Sequence, residues 1–262
     1  MLRDAGLRGF WSGYFAQRAA PLGPVGPGVV TAAFYNFHPD MVARAVPGCW
    51  DAVEPEQLCA VRARAAADAL GALCSTEART GLVGALPLLR RAADAAGTEG
   101  RVLAGANRGV WPRITGALDG DRIAEAWQAC TTLREHRGDG HVVSLVTQGV
   151  GGLGSHVLAA GAKGIPVELL RDNRGYEEAD WQRAVGTLGG QGLLHGNGRV
   201  TDTGRTLHAA IESRTDELAA PPYDGLSNGA LDDLLGALRV CARDVAASGV
   251  LPYPNPMGLP PA

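Results

Sequence analysis

The stretch Gly192-Leu193-Leu194-His195-Gly196-Asn197-Gly198-Arg199-Val200-Thr201 decides the fold prediction. It places an Asn-Gly turn between two short apolar segments, which is the strongest short-range signal of a β-hairpin. A helical pattern precedes it over residues 177–189, and a longer helix is predicted from Thr203 to about Ala219. Helix, turn, helix, two-stranded wing and helix follow each other in the order of a winged helix-turn-helix domain.

The composition predicts a globular, mainly helical protein. The 262 residues are 46% hydrophobic and 19% charged, and alanine is abundant while aromatic residues are few. A net charge of −3 gives no general attraction to nucleic acid. No apolar run approaches the roughly 18 residues of a membrane-spanning helix, and no signal peptide is visible. We therefore expect a cytoplasmic protein with no membrane partner.

The predicted fold class is mainly α, with a helical N-terminal half packed on a winged helix-turn-helix C-terminal half that carries one small β-hairpin. Short helical patterns interrupted by proline and glycine fill residues 1–118, the predicted N-terminal domain. Residues 119–262 form the predicted winged-helix-like domain and end in a proline-rich tail, which cannot be helical.

The motif Arg134-Glu135-His136-Arg137-Gly138-Asp139-Gly140-His141 stands between two apolar helical patterns. Its two glycines predict that the backbone leaves the helix, which would place Asp139 and His141 on a turn. Such a turn would gather an acid, a base and an orienting carboxylate in one site. The alternative is an ordinary solvated turn whose charges pair with one another. The predicted catalytic residues are His141, His136, Asp139 and Glu135.

Other polar residues are candidates for holding a substrate. Either arginine of the motif can hold a carboxylate, an enolate or a phosphate. Tyr35 and Asn36 put polar groups into an apolar segment, and Asn107 lies close to Trp111 in the sequence. The predicted substrate-binding residues are Arg137, Arg134, Tyr35, Asn36, Asn107 and Trp111. Glu135, His136, Asp139 and His141 are legitimate metal ligands, so a metal site is a minor alternative. No metal-binding spacing such as H-E-x-x-H supports it, and no other cofactor is predicted.

Other apparent motifs give weaker evidence of function. The glycine-rich segment Gly149–Gly154 has no strand before it, so a dinucleotide-binding loop is rejected. The histidines His156, His195 and His208 are expected at the surface or at the edge of the core.

The predicted recognition helix is acidic. It reads Glu177-Glu178-Ala179-Asp180-Trp181-Gln182-Arg183, with three carboxylates in its first turn, and the wing offers only Arg199. Phosphates repel carboxylates, and phosphate contacts supply most non-specific affinity for DNA. The sequence thus favours a winged helix without a DNA partner. Counterevidence would be a shared patch formed by Arg171, Arg174, Arg183, Arg199 and Arg205.

Segments along nearly the whole chain resemble a family of actinobacterial helix-turn-helix proteins that carry a central REHRGDGH motif. The matching segments are Ala20-Pro21-Leu22-Gly23, Phe34-Tyr35-Asn36-Phe37, Val46-Pro47 with Trp50, Ala106-Asn107, Leu133–His141, Leu193-Leu194, Thr215-Asp216 and Asn255-Pro256-Met257-Gly258. The chain departs from the family pattern at Trp127-Gln128, where a Trp-His pair is usual. The resemblance implies a fold and says little about chemistry.

These observations lead to one main hypothesis and two alternatives. The main hypothesis is a small-molecule-binding protein that acts as an acid–base enzyme of bacterial specialised metabolism, of lyase, isomerase, cyclase or hydrolase type. The first alternative is a ligand-responsive winged-helix transcriptional regulator. The second is a protein that binds or sequesters a small molecule without catalysis. A homodimer is a further expectation, because winged-helix scaffolds commonly dimerise.

Overall fold

A computed structural model describes residues 6, 7 and 9–255 of the chain. The remainder of the proline-rich tail, residues 256–262, lies outside the described residues. Within them the mainly α prediction is confirmed. Twelve α-helices follow in order: α1 (Phe10–Ala19), α2 (Pro27–Phe34), α3 (Pro39–Ala43), α4 (Pro55–Leu73), α5 (Thr76–Ala95), α6 (Val102–Ile114), α7 (Arg122–Thr147), α8 (Gly152–Lys163), α9 (Val167–Asp172), α10 (Glu178–Gly190), α11 (Asp202–Ala219) and α12 (Asn228–Ala247).

Side-chain caps start four of the five longest described helices, α5, α7, α11 and α12. Ser75 accepts a hydrogen bond from the third amide of α5, and Ser227 and Thr201 do the same for α12 and α11. Asp121 accepts from two amides at the start of α7. Each cap satisfies a backbone N–H that has no partner inside its helix and contributes about 1 kcal/mol.

Three apolar clusters form the core, and α7 contributes to all of them. The first lies among α1–α4 and α6 around a group of phenylalanines that includes Phe15, and α7 adds Ala124. The second lies between α5 and α12, where α7 adds Leu133. The third joins α8–α11 around Trp181, where α7 adds Leu145. Every part of the described fold is therefore built around one central helix.

The predicted break in this helix is wrong. Helix α7 runs without interruption from Arg122 to Thr147, through both glycines of the charged motif. A Cβ at Gly140 would lie 2.7 Å from Nη1 of Arg101 and 3.3 Å from Cβ of Leu218 in α11. The glycine therefore serves close packing between helices and does not serve a turn.

The predicted β-hairpin is also wrong. Among the described residues no strand forms, and the wing contains a single antiparallel bridge between Leu194 and Val200. The turn itself closes, since the amide of Gly198 donates to the carbonyl of His195 at 2.8 Å, with Gly198 at φ +77°. Beyond the bridge the amide of Thr201 still donates to the carbonyl of Leu193 at 3.0 Å, but Thr201 also caps α11, so the pairing ends there.

The C-terminal helix returns to the first half of the chain, because α12 packs against α5. The division into domains at residue 118 stays a prediction. No single helix in the described part of the chain is long and apolar enough to cross a membrane; α7 and α8 pass that test only as a pair, and they are bent by 96°.

Candidate functional site

The continuous helix separates the predicted catalytic residues. An α-helix turns about 100° per residue, so His136 and His141 point about 140° apart. Glu135 and Asp139, four residues apart, share a third side of α7. The structure does not bring the four side chains into one site.

Glu135 lies in a buried ion pair between helices. Its side chain is 1% exposed, and its two oxygens accept hydrogen bonds from Nε and Nη2 of Arg18, each at 3.1 Å. Arg134 also pairs with it. Burial alone would raise the pKa of Glu135, but the two arginines outweigh it and hold the pKa below its ordinary value. This carboxylate ties α7 to α1.

Asp139 and His136 contact the α6 side of the fold. Oδ2 of Asp139 accepts a hydrogen bond from the amide of Ala104, in the first turn of α6, at 2.9 Å. Burial raises the pKa of Asp139 to about 6. Burial, together with the charge of Arg101, lowers the pKa of His136 to about 4. Both residues are thus enclosed by neighbouring helices.

His141 lines a cavity of about 270 Å³, which we call the His141 cavity. It lies where α7 meets α8, α9 and α11, and the chain between α2 and α3 completes its wall. The lining residues are Asn36, Arg137, His141, Leu145, Ser155, His156, Leu158, Ala159, Lys163, Ile165, Leu170, Arg174, His208, Ile211 and Glu212.

Hydrogen bonds around His141 fix its tautomer. Nδ1 lies 2.9 Å from Oγ1 of Thr215, and that hydroxyl donates its only proton to the carbonyl of Ile211 at 2.7 Å. Oγ1 must therefore accept, so Nδ1 of His141 carries the proton. The lone pair of the neutral ring is then on Nε2. Burial lowers the pKa of His141, which favours the neutral form near pH 7.

His156 is the second imidazole of this cavity and is only 7% exposed. Its Nε2 has no hydrogen-bond partner within the described residues, while the ring is hydrogen-bonded with the backbone of Asn36. Burial lowers the pKa of His156 to about 3, so the ring is neutral. A buried polar atom without a partner is uncommon and points to a missing one.

Charged side chains of the cavity are mainly cationic. Arg137 and Lys163 lie 3.5 and 3.8 Å from the same carboxylate, Glu212. Arg174 adds a third positive charge and is buried, with its guanidinium over the ring of Phe37. Arg137 also pairs with Asp216 at 3.0 Å, so two carboxylates, Glu212 and Asp216, face these cations, and the neutral histidines add no charge. The cavity suits an anion electrostatically.

The sequence analysis did not assign His156, Lys163, His208 and Glu212 to a site, although helical spacing indicates which of them share a face. His156 and Lys163 are seven residues apart on α8, and His208 and Glu212 are four apart on α11, so each pair shares a helix face. His156 and His208 line the cavity, while His195 is exposed in the wing.

The other predicted substrate-binding residues are dispersed. Of these, Asn36 and Arg137 line the His141 cavity. The hydroxyl of Tyr35 donates to the carbonyl of Val150 at 2.6 Å. Asn107 is fully buried, and Trp111 and Arg134 lie at two other cavities. Within the described residues no group of three or more His, Cys, Asp or Glu side chains is arranged to hold a metal ion.

The five arginines of residues 164–205 do not form one patch, although Arg199 and Arg205 line the same cavity beside the wing turn. Arg171 pairs with Asp172 and Glu178, Arg183 pairs with Asp180, and Arg174 is buried at the His141 cavity. Over residues 164–205 the chain has six carboxylates and five arginines. Most of the positive charge on this surface is therefore neutralised locally.

Comparison with known proteins agrees with this architecture. A family model described as a helix-turn-helix family matches residues 1–252. A search of curated proteins and a search of solved structures gave no match. The match covers nearly the whole chain, and α8, α9, α10 and the wing turn have the order of a winged helix. The chain therefore belongs to the helix-turn-helix family.

Proposed function

We propose that the protein binds an anionic small molecule in the His141 cavity and that His141 exchanges a proton with it. The observation that carries this proposal is the hydrogen-bond geometry of His141: Nδ1 lies 2.9 Å from Oγ1 of Thr215, whose hydroxyl donates to Ile211, and this arrangement leaves the lone pair of a neutral ring on Nε2. A histidine held in one tautomer beside a cavity has the geometry of a general base.

The cations around the cavity suit the product of such a transfer. Removing a proton from carbon beside a carbonyl creates an enolate, and positive side chains stabilise its negative charge. Arg137 and Lys163 supply that charge next to His141. The unpartnered Nε2 of His156 accepts a hydrogen bond from a ligand hydroxyl or acid. The proposed chemistry is of the lyase or isomerase type, and it requires no redox cofactor.

Proton exchange with solvent tests this function without knowledge of the product. The protein is incubated in D2O with pyruvate, 2-oxoglutarate or malate, and the C–H signals are followed by proton NMR. We expect the wild type to accelerate exchange in at least one probe, and His141→Gln to lower the rate about 100-fold, within the usual range for general acid–base catalysis.

His195→Gln is the matched control, because that histidine is exposed in the wing, away from the cavity. It should exchange at the wild-type rate. Equal exchange in wild type and His141→Gln would contradict the proposal. Binding without exchange would leave a protein that only sequesters its ligand.

One observation favours a ligand-responsive regulator as a second candidate. Helices α8, α9 and α11, which hold α10 in place, also line the His141 cavity, so a bound ligand would contact the supports of the recognition helix. A low-salt titration with genomic fragments and the protein's own upstream DNA tests this candidate. Submicromolar, salt-sensitive binding would support it, and no binding would exclude it.

A further inference from the structure

A second cavity lies further toward the N-terminal end of the same α7 face. It has a volume of about 390 Å³, and we call it the Arg62 cavity. Thr131, on its wall, is ten residues from His141, which is about 15 Å along a helix. The two cavities share no lining residue. The wall of the Arg62 cavity also includes Gln17, Arg18, Arg62, Trp127, Cys130 and Arg134.

Arg62 is a buried cation whose charge is offset by Glu135 only at longer range, without direct contact. The residue is 4% exposed. Its guanidinium donates to three neutral acceptors: the carbonyl of Gln17 at 2.8 Å, Oδ1 of Asn107 at 2.7 Å and Oε1 of Gln128 at 3.2 Å. Among the described residues it forms no ion pair. Buried charges are normally paired, because removing a charge from water costs several kcal/mol.

One donor of this guanidinium remains unused. Nε of Arg62 has no hydrogen-bond partner within the described part of the chain. Since the residue lines the cavity, the unused donor and a charge that forms no direct ion pair occur at the same place. Both would be satisfied by an oxyanion in the cavity.

Two further guanidiniums border the same space. Arg18 and Arg134 both pair with Glu135, whose single negative charge they share. The cavity and its border therefore carry three positive charges against one negative charge. Electrostatically, the cavity suits a negatively charged group.

The remaining wall is aromatic and apolar. The guanidinium of Arg62 lies over the ring of Trp127, 5.5 Å from the ring centre, and Cys130 is beside it on α7. A flat organic body can pack on such a wall, while its acidic end reaches the arginine fork.

We propose that the Arg62 cavity is a binding site for a small organic carboxylate with a planar apolar body. The carboxylate accepts from Arg62 and Arg134, and the body lies against Trp127. The site is separate from the His141 cavity, and the proposal does not depend on the function assigned there.

Calorimetric titration of the full chain tests this site with three probes: benzoate, its neutral isostere benzamide, and inorganic phosphate. We expect benzoate to bind at least about 10-fold more tightly than benzamide or phosphate, since the fork fits a planar carboxylate. Equal affinity for benzoate and benzamide would overturn the role of the arginines. Tighter binding of phosphate would overturn the carboxylate assignment.

Variants locate the bound probe. Arg62→Gln should lower benzoate affinity about 10-fold or more. Because Arg62 also joins three helices, Arg134→Gln is the second variant: its side chain is 53% exposed, so it should fold normally and bind about threefold more weakly. Arg122→Gln, an exposed change on the same helix, is the matched control.

A last variant separates the two cavities. Lys163→Met alters only the His141 cavity and should leave benzoate affinity unchanged. If Lys163→Met abolished benzoate binding while Arg134→Gln preserved it, the probe would occupy the His141 cavity and the inference would be wrong.

Discussion

Helices α7 and α10 both carry dense charge and use it in opposite ways. On α7, Glu135 is buried and pairs with Arg18, which is 117 residues away in sequence. On α10, Asp180 pairs with Arg183, three residues away, and Glu178 pairs with Arg171 at the surface. The α7 charges hold distant helices together, whereas the α10 charges neutralise one another locally. Charge density alone does not distinguish these uses; the location of the partner does.

The largest expected difference is in stability. Glu135→Ala leaves Arg18 without its carboxylate in a mostly buried place, so we expect the free energy of unfolding to fall by about 3 kcal/mol. Glu178→Ala removes an exposed pair and should change it by less than about 0.5 kcal/mol. Urea denaturation of both variants measures this. Equal losses of unfolding free energy in the two variants would contradict the contrast between the two helices.

The next prediction concerns pH. Burial raises the pKa of Asp139 to about 6, from an ordinary value of 3.8, so the folded chain holds this proton more tightly than the unfolded chain. The stabilisation of the folded state by this proton is complete below pH 3.8 and is lost as the pH rises through 6. We expect Asp139→Asn to gain about 3 kcal/mol of stability relative to wild type between pH 4 and pH 8.

On the same helix, Glu135→Gln should change the pH dependence of stability in the opposite direction. The pKa of Glu135 is held below its ordinary value, so its contribution is present above the unfolded-state pKa and disappears as pH falls through the folded-state pKa. Relative to wild type, this variant should lose stability as pH rises from acid to neutral. Parallel pH profiles for the two variants would refute the electrostatic interpretation of α7.

The smallest expected effects are those of two glycine-to-alanine substitutions, one on α7 and one on α10. An alanine at position 140 meets Arg101 and Leu218 at close range, so Gly140→Ala should cost about 1 kcal/mol after its gain in helix propensity. On α10, a Cβ at Gly186 has no neighbour within 4 Å, so Gly186→Ala should stabilise the protein by about 0.5 kcal/mol. Thermal unfolding measures both, and a stabilising Gly140→Ala would show that the helices are not closely packed there.

The same two helices mark what the sequence could predict. Apolar periodicity and the turn residues predict α10 and the wing turn, because both depend on local interactions. The continuity of α7 could not be predicted, since Gly140 is compatible with a turn and with close packing, and only α11 decides between them. The candidate cavity has the same difficulty. His141 and Arg137 were found within one motif, but His156, Lys163 and Glu212 approach them through tertiary packing.

The path of α7 through all three apolar clusters has a consequence for dividing the gene. A cut after residue 118 would leave α5 on one fragment and its partners α7 and α12 on the other. Each fragment would expose an incomplete apolar surface that the other covers. Co-expressed halves should therefore assemble into a native-like heterodimer, which makes this chain a candidate split reporter whose reassembly depends on α7.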